Sequence, residues 1–186
     1  MFVRTERLFL RPGWPEDLDD LVEAFNGDST QRTAVAPVMP RTREAMREYL
    51  DRPRDPRLPR FFIYLRGAHG AKLVGSIGFG QYGKDAEVDY WISAGYQGRG
   101  YALEALRELV DQARALGHHR LIAKHFADSS TSVQVLEEAG FHDTGREQVC
   151  YSARRGEEVL ARLYSVDLDH RRDRYGVESS GEVLSV

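Results

Sequence analysis

The chain has 186 residues, of which 41% are hydrophobic and 30% are charged, and its net charge at pH 7 is -3. This length predicts one sizeable core, the composition excludes a wholly disordered chain, and the charge gives no basic surface for nucleic acid or for an anionic membrane. The single cysteine, Cys150, excludes an internal disulfide framework, and with no signal peptide and no apolar stretch of membrane-spanning length we expect a cytoplasmic protein.

Strands are predicted where apolar residues alternate between turn residues, and helices where they recur three and four positions apart. In chain order the elements are a strand over 4–11, helices over 15–26 and 42–50, strands over 61–66, 72–79 and 87–93, a helix over 102–116, a strand over 121–126, a helix over 132–139, and strands over 146–152 and 157–168. Residues 52–60 contain four arginines and three prolines and favour a loop. This order predicts a single mixed α/β domain over residues 1–168, and the tail over 169–186 is expected to be mobile.

A loop with two glycines lies between a predicted strand and the clearest predicted helix. It consists of Gln97, Gly98, Arg99, Gly100, Tyr101 and Ala102. A helix start carries unpaired backbone N–H groups and a partial positive charge, and glycine has no Cβ to keep a phosphate away from the backbone. The loop therefore indicates a pyrophosphate site, although a glycine pair by itself is also typical of a plain connection. It lacks the Lys-Ser/Thr of a P-loop and the third glycine of the dinucleotide fingerprint.

The same loop fits the Gln/Arg-x-x-Gly-x-Gly/Ala signature of the GNAT superfamily of N-acetyltransferases, with Gln97, Gly100 and Ala102 at the defining positions. Other segments resemble one branch of that superfamily, the ribosomal-protein N-terminal acetyltransferases (RimJ/RimL-like). These segments are residues 5–12, 73–79, 86–92 and 129–141. Because they occur in the order of that branch, the chain is identified as a member of the superfamily over residues 3–168.

The resemblance implies an α/β fold with a mostly antiparallel sheet flanked by helices. The fourth and fifth strands of the family are parallel and splayed, and here they correspond to residues 87–93 and 121–126. The cofactor it implies is acetyl-CoA, with the pyrophosphate on the backbone amides of residues 97–102 and the pantetheine arm between the splayed strands. A backbone N–H near Ile92 would polarise the thioester carbonyl. No metal is implied.

In this family an amine attacks the thioester directly, and we expect Glu87 to accept the proton that the amine must lose. Without the resemblance, Glu87 would be read as a surface or structural acid. Asp89 departs from the branch, which usually has glycine there, and strand alternation places it on the same face as Glu87. Either the two carboxylates together attract a cationic amine and raise each other's pKa, or Asp89 pairs with an arginine from residues 52–60.

Two serines are candidates for positions near the cofactor, whose thiolate departs in the reaction. Ser132 matches the serine of the branch motif and is expected to face the cofactor sulfur. Ser129 stands where the branch usually has asparagine, and we expect it to lie beside the cofactor or to cap the helix. Many members of the superfamily carry a tyrosine acid where this chain has Leu136. A thiol with a pKa of about 8.5 leaves readily near neutral pH, so little help is required.

The sequence therefore predicts an enzyme that moves an acetyl or other acyl group from acyl-CoA to the amine of a peptide N-terminus or of a small molecule. The alternative is a non-catalytic acyl-CoA-binding regulator, which the departures at Asp89 and Ser129 favour. We expect no nucleic-acid or membrane partner, and the edge strands of such a sheet suit a homodimer.

Overall fold

The computed structural model describes residues 2–26, 42–68, 70–126, 130–152 and 156–169. In chain order its elements are β1 (Val3–Arg4), β2 (Leu8–Arg11), a 3-10 turn (Pro15–Asp17), α1 (Leu18–Asn26), α2 (Arg43–Asp51), β3 (Arg60–Gly67), β4 (Gly70–Tyr82), β5 (Asp85–Ile92), a second 3-10 turn (Ala94–Tyr96), α3 (Tyr101–Ala115), β6 (Arg120–Phe126), α4 (Ser130–Glu138), β7 (His142–Ser152) and β8 (Glu157–Asp167). None of the helices in these ranges is long and apolar enough to cross a membrane. Of the predicted tail, only Asp169 lies within the described residues.

The described strands form one sheet in the order β1-β2-β3-β4-β5-β6-β8-β7. Every neighbouring pair is antiparallel except β5 and β6, which are parallel. This arrangement confirms the predicted mixed sheet with one parallel pair.

Several predicted element boundaries were wrong. The helix expected over 15–26 begins with a 3-10 turn, and the strand expected over 146–152 already begins at His142. The single strand expected over 4–11 is a short hairpin, because the backbone N–H of Thr5 donates to the Leu8 carbonyl and the Leu8 N–H donates to the Thr5 hydroxyl, both at 3.1 Å. The splayed strands are consequently the fifth and sixth of this chain. The proline-rich segment 52–60 ends one residue earlier than expected, since Arg60 begins β3.

The two faces of the sheet bury different cores, as the alternation of side chains along β5 shows. Its residues at even positions pack with α3 in the larger core, together with Leu106 and Leu109. Trp91, at an odd position, packs in a second core with α1 and α2. Glu87 and Asp89 share the face of Trp91, because residues two apart on a strand point the same way. The two carboxylates therefore lie on one face of the sheet, as the sequence predicted.

Strands β5 and β6 separate from each other partway along their length. They are paired only at three positions, which are Ala86 with Leu121, Glu87 with Ile122 and Val88 with Ala123. Beyond these, β5 continues to Ile92 along β4 and β6 continues to Phe126 along β8. The gap between residues 89–92 and 124–126, called the wedge below, therefore exposes backbone edges to whatever enters it.

Candidate active site

The start of α3 has the geometry of an anion site. Gly98 and Gly100 have φ angles of 70° and 79°, which side chains other than glycine rarely adopt. The Gly100 carbonyl accepts the first helical hydrogen bond, from the Glu104 N–H at 3.1 Å. The amides of residues 101–103 have no partner within the helix, and they sit at the positive end of a 15-residue helix dipole.

Arg7 is the residue of this site that sequence reasoning missed. Its Nε donates to Oε2 of Glu104 at 2.7 Å, and its Nη1 donates to the Arg99 carbonyl at 2.8 Å. The Thr5 hydroxyl and the Arg7 N–H both donate to Oε1 of Glu104, at 2.5 Å and 2.8 Å. Burial alone would raise the pKa of Glu104, but these hydrogen bonds outweigh it and lower the pKa. A guanidinium is thus fixed beside the loop, and the signal for it was its place in the resemblance segment 5–12.

Three other predicted loop residues, which are Gln97, Tyr101 and Ala102, make contacts within the fold. Gln97 donates its backbone N–H to the Ala94 carbonyl and its Nε2 to the Ile92 carbonyl at 2.8 Å. These two hydrogen bonds tie the loop to the end of β5. Tyr101 is buried beneath the Arg7 guanidinium, 4.7 Å from its ring centroid, and Ala102 packs against the larger core.

The backbone of Ile92 is directed into the wedge. The N–H of the next residue, Ser93, donates to the Val74 carbonyl of β4 at 2.8 Å. Because successive N–H groups of an extended chain point to opposite edges, the Ile92 N–H points away from β4 and towards β6. This orientation suits the oxyanion donor expected from the sequence.

Glu87 is ion-paired on the opposite face of the sheet from α3. Its Oε2 lies 2.7 Å from Nζ of Lys124, and the two side chains are 18% and 21% exposed. Partial burial alone would lower the pKa of Lys124, but its hydrogen bond and attraction to Glu87 raise it above its usual value. Lys124 also lies 5.4 Å from the ring centroid of Tyr82, whose hydroxyl donates to Gln148 of β7 at 3.1 Å.

Asp89 pairs with Arg60. The sequence left two alternatives open for Asp89, and the structure shows the one in which it pairs with an arginine from residues 52–60. Both oxygens of Asp89 lie 2.5 Å from guanidinium nitrogens, and the side chains are 14% and 9% exposed. Burial alone would lower the pKa of Arg60, but the charge and hydrogen bond of Asp89 raise it. Arg60, Gly78 and Asp89 are register partners across β3, β4 and β5, so the arginine side chain crosses over the glycine.

Gly78→Ala is expected to lower the free energy of unfolding by about 1–3 kcal/mol, the usual cost of overpacking. The new Cβ would lie 2.9 Å from both Cα and Cβ of Arg60, so the strands must shift and the contact with Asp89 weakens. Gly80→Ala is the matched control on the same face, because its Cβ would meet only the Glu87 carbonyl oxygen, at 3.9 Å. Urea unfolding of both variants measures the difference, and equal stabilities would contradict this role of Gly78.

Ser132 is paired with a histidine that the sequence did not single out. Its Oγ lies 2.9 Å from Nδ1 of His125, and the two residues are 3% and 4% exposed. His125 stands on β6 beyond its last position paired with β5, and its ring meets that of Tyr164 edge-on at 6.0 Å. A seven-residue separation across a strand and a helix start carries no motif, so only the fold brings the two together. Ser129 lies outside the described residues.

Comparisons with known proteins agree with this geometry. A family model described as an acetyltransferase (GNAT) domain matches residues 7–142. Over 148 residues the chain is 26% identical to the uncharacterized N-acetyltransferase p20 of Bacillus licheniformis, covering 76% of this chain and 82% of that protein.

Two solved structures share the fold. A GNAT-family acetyltransferase from Bacillus anthracis has a TM-score of 0.72 at 24% identity, covering 91% of this chain and all of that one. RimL, a ribosomal alpha-N-protein acetyltransferase in complex with coenzyme A, has a TM-score of 0.73 at 18% identity, covering 91% of this chain and 99% of its own.

Proposed function

The chain belongs to the GNAT acetyltransferase family, and from this we propose that it transfers an acetyl group from acetyl-CoA to an amine by direct attack of the nitrogen on the thioester. The observation that carries the proposal is the wedge between β5 and β6, which begins where their three paired positions end. The glycine loop and the start of α3 follow directly after β5. A long, thin cofactor with a pyrophosphate fits a backbone-lined gap that ends at an anion site.

The cofactor would be held mainly by backbone groups. The amides of residues 98–102 would take the pyrophosphate, and Arg7, which is ion-paired with Glu104, would hold the Arg99 carbonyl at the edge of the loop. The pantetheine arm would lie in the wedge along residues 89–92. The Ile92 N–H would then donate a hydrogen bond to the thioester oxygen as negative charge develops on it.

The amine would approach from the face that carries Glu87, because α3 covers the other face of β5. The nitrogen forms its bond to the acetyl carbon, the carbon–sulfur bond breaks, and its electron pair leaves with the sulfur. An amine that arrives as an ammonium ion first gives one proton to the Glu87 carboxylate, directly or through a water molecule, and this frees the lone pair that attacks. The nitrogen loses its second proton as the amide forms, and that proton is released through water.

The leaving thiolate would be stabilised by Ser132. If Nδ1 of His125 carries the proton, it donates to the serine oxygen, and the serine hydroxyl proton is then directed elsewhere. Directed at the sulfur, that hydroxyl donates a hydrogen bond to the thiolate and needs no full proton transfer.

Ser132→Ala is expected to lower kcat by about three- to thirtyfold, less than full acid catalysis, and to leave the KM for acetyl-CoA nearly unchanged. The deficit should shrink above about pH 8.5, where the free thiolate is itself stable. Ser165→Ala is the control, because Ser165 is another buried serine beside a histidine, 3.4 Å from His142. Complete loss of turnover with normal cofactor binding would show that Ser132 must transfer a proton.

The proposed function is tested by calorimetry with coenzyme A and by thiol release from acetyl-CoA in the presence of amines. Binding together with amine-dependent release of thiol supports the proposal. Binding without release for any amine would instead support the non-catalytic alternative.

A further inference from the structure

The amine is proposed to approach the face of the sheet that carries Glu87. The charges on this face are compensated in pairs, which limits the kinds of ligand that it can attract. Glu87 is paired with Lys124 and Asp89 with Arg60. The expectation that two unpaired carboxylates gather a cation therefore does not describe this surface. An amine that carries only a positive charge meets Lys124 as well as Glu87, so the attraction and the repulsion largely cancel.

The two pairs differ in how easily a ligand reaches them. The Arg60–Asp89 pair is the more buried, with side chains 9% and 14% exposed, and its two contacts of 2.5 Å use both carboxylate oxygens. The Glu87–Lys124 pair is 18% and 21% exposed, and its contact is made through Oε2 of Glu87. The second pair is therefore the more accessible of the two to an incoming ligand.

Lys124 is held at the opening of the wedge. It is the first β6 residue after the positions that pair with β5, whereas Glu87 is one of the paired residues. The Tyr82 ring lies against the ammonium, and the Tyr82 hydroxyl is anchored to Gln148 on β7. This packing fixes a positive charge next to the carboxylate that the proposed function assigns to the amine.

We propose that the acceptor is an amine with a carboxylate close to its nitrogen, such as a free α-amino acid. The substrate ammonium binds Glu87 while the substrate carboxylate binds Lys124, so four charges alternate in sign around the contact. The 2.7 Å separation of the two protein charges suits a ligand whose own opposite charges are one carbon apart. This inference rests on the proposed function, because it assumes that the amine arrives at Glu87.

The test uses free L-amino acids and the matching L-amino acid amides as acceptors, with acetyl-CoA as donor and mass spectrometry of the products. The amides keep the side chain and replace the charged carboxylate with a neutral carboxamide, which also makes the amine less basic, so both classes are compared over a range of pH. The free acids are expected to have kcat/KM values between about ten- and a hundredfold higher, the effect of one hydrogen bond to a charged group.

Lys124→Met should reverse the preference. It should lower kcat/KM for the free acids by about ten- to a hundredfold and raise it for the amides, because Glu87 is then unpaired. Lys124→Arg should keep the preference for acids, since it keeps the charge. Lys72→Met is the matched control, because it breaks a 2.9 Å surface pair with Glu23 and should leave the preference unchanged. A change that is only structural would lower both substrate classes together.

Several results would overturn the inference. Amides or short peptides acetylated as well as free acids would do so, as would an equal loss for both classes in Lys124→Met, and in these cases the proposed acetyl transfer stands. If no amine in the panel consumes acetyl-CoA, the inference fails as well, and coenzyme A calorimetry then decides whether the cofactor site stands.

Discussion

Gly100→Asp is expected to weaken acetyl-CoA binding by at least about a hundredfold, because a like charge at a binding site costs several kcal/mol. Gly100 precedes the unpaired first-turn amides of α3, and its φ of 79° is within reach of aspartate. The new carboxylate would occupy the space proposed for the pyrophosphate and would compete for the same N–H groups. It would also lie near Nη2 of Arg7, which is 3.3 Å from the position of a Cβ at this residue.

Two alanine variants separate charge from backbone strain in this experiment. Gly100→Ala adds the Cβ without the charge, and we expect a much smaller loss of affinity. Gly117→Ala adds a Cβ at the same φ of 79°, but at the other end of α3, and should leave affinity unchanged. Calorimetry with coenzyme A gives the affinities, and thermal unfolding shows whether each variant is folded. Wild-type affinity in a folded Gly100→Asp variant would show that the pyrophosphate binds elsewhere.

Glu87→Gln is expected to lower kcat by about 10²–10⁴-fold, the usual contribution of a general base. Glutamine keeps the shape of the side chain and still offers an oxygen to Nζ of Lys124, so the local structure should persist. The affinity for acetyl-CoA should change little, because the proposed cofactor contacts lie on the backbone of residues 89–92 and 98–102. The measurement is a pH–rate profile of the variant against the wild type.

The profile is what distinguishes a base from a structural acid. A base must be ionised to act, so the wild-type kcat/KM should fall at acid pH as Glu87 becomes protonated. This part of the fall should be absent from the profile of Glu87→Gln. Glu23→Gln is the control, since Glu23 forms a comparable but exposed pair with Lys72. If Glu87→Gln retains the wild-type rate and profile, the amine loses its proton to another group.

The paired carboxylates show how far sequence reasoning reached. Alternation along one strand was sufficient to place Glu87 and Asp89 on a common face, because side-chain direction has a period of two. Their partners depended on the register between strands. Arg60 reaches Asp89 because both align with Gly78, and Lys124 reaches Glu87 because β6 runs parallel to β5.

The sequence by itself determined most of the elements, the mixed sheet with one parallel pair through family resemblance, and the glycine loop at the start of α3. These features rest on local chemistry: apolar periodicity, glycine in left-handed conformations and the unpaired amides of a helix start. Only the tertiary structure decided that both carboxylates have cationic partners, that Arg7 lies beside the loop and that His125 meets Ser132. Each of these contacts joins residues of different elements, and its distance depends on strand register and helix packing, which a linear pattern does not encode.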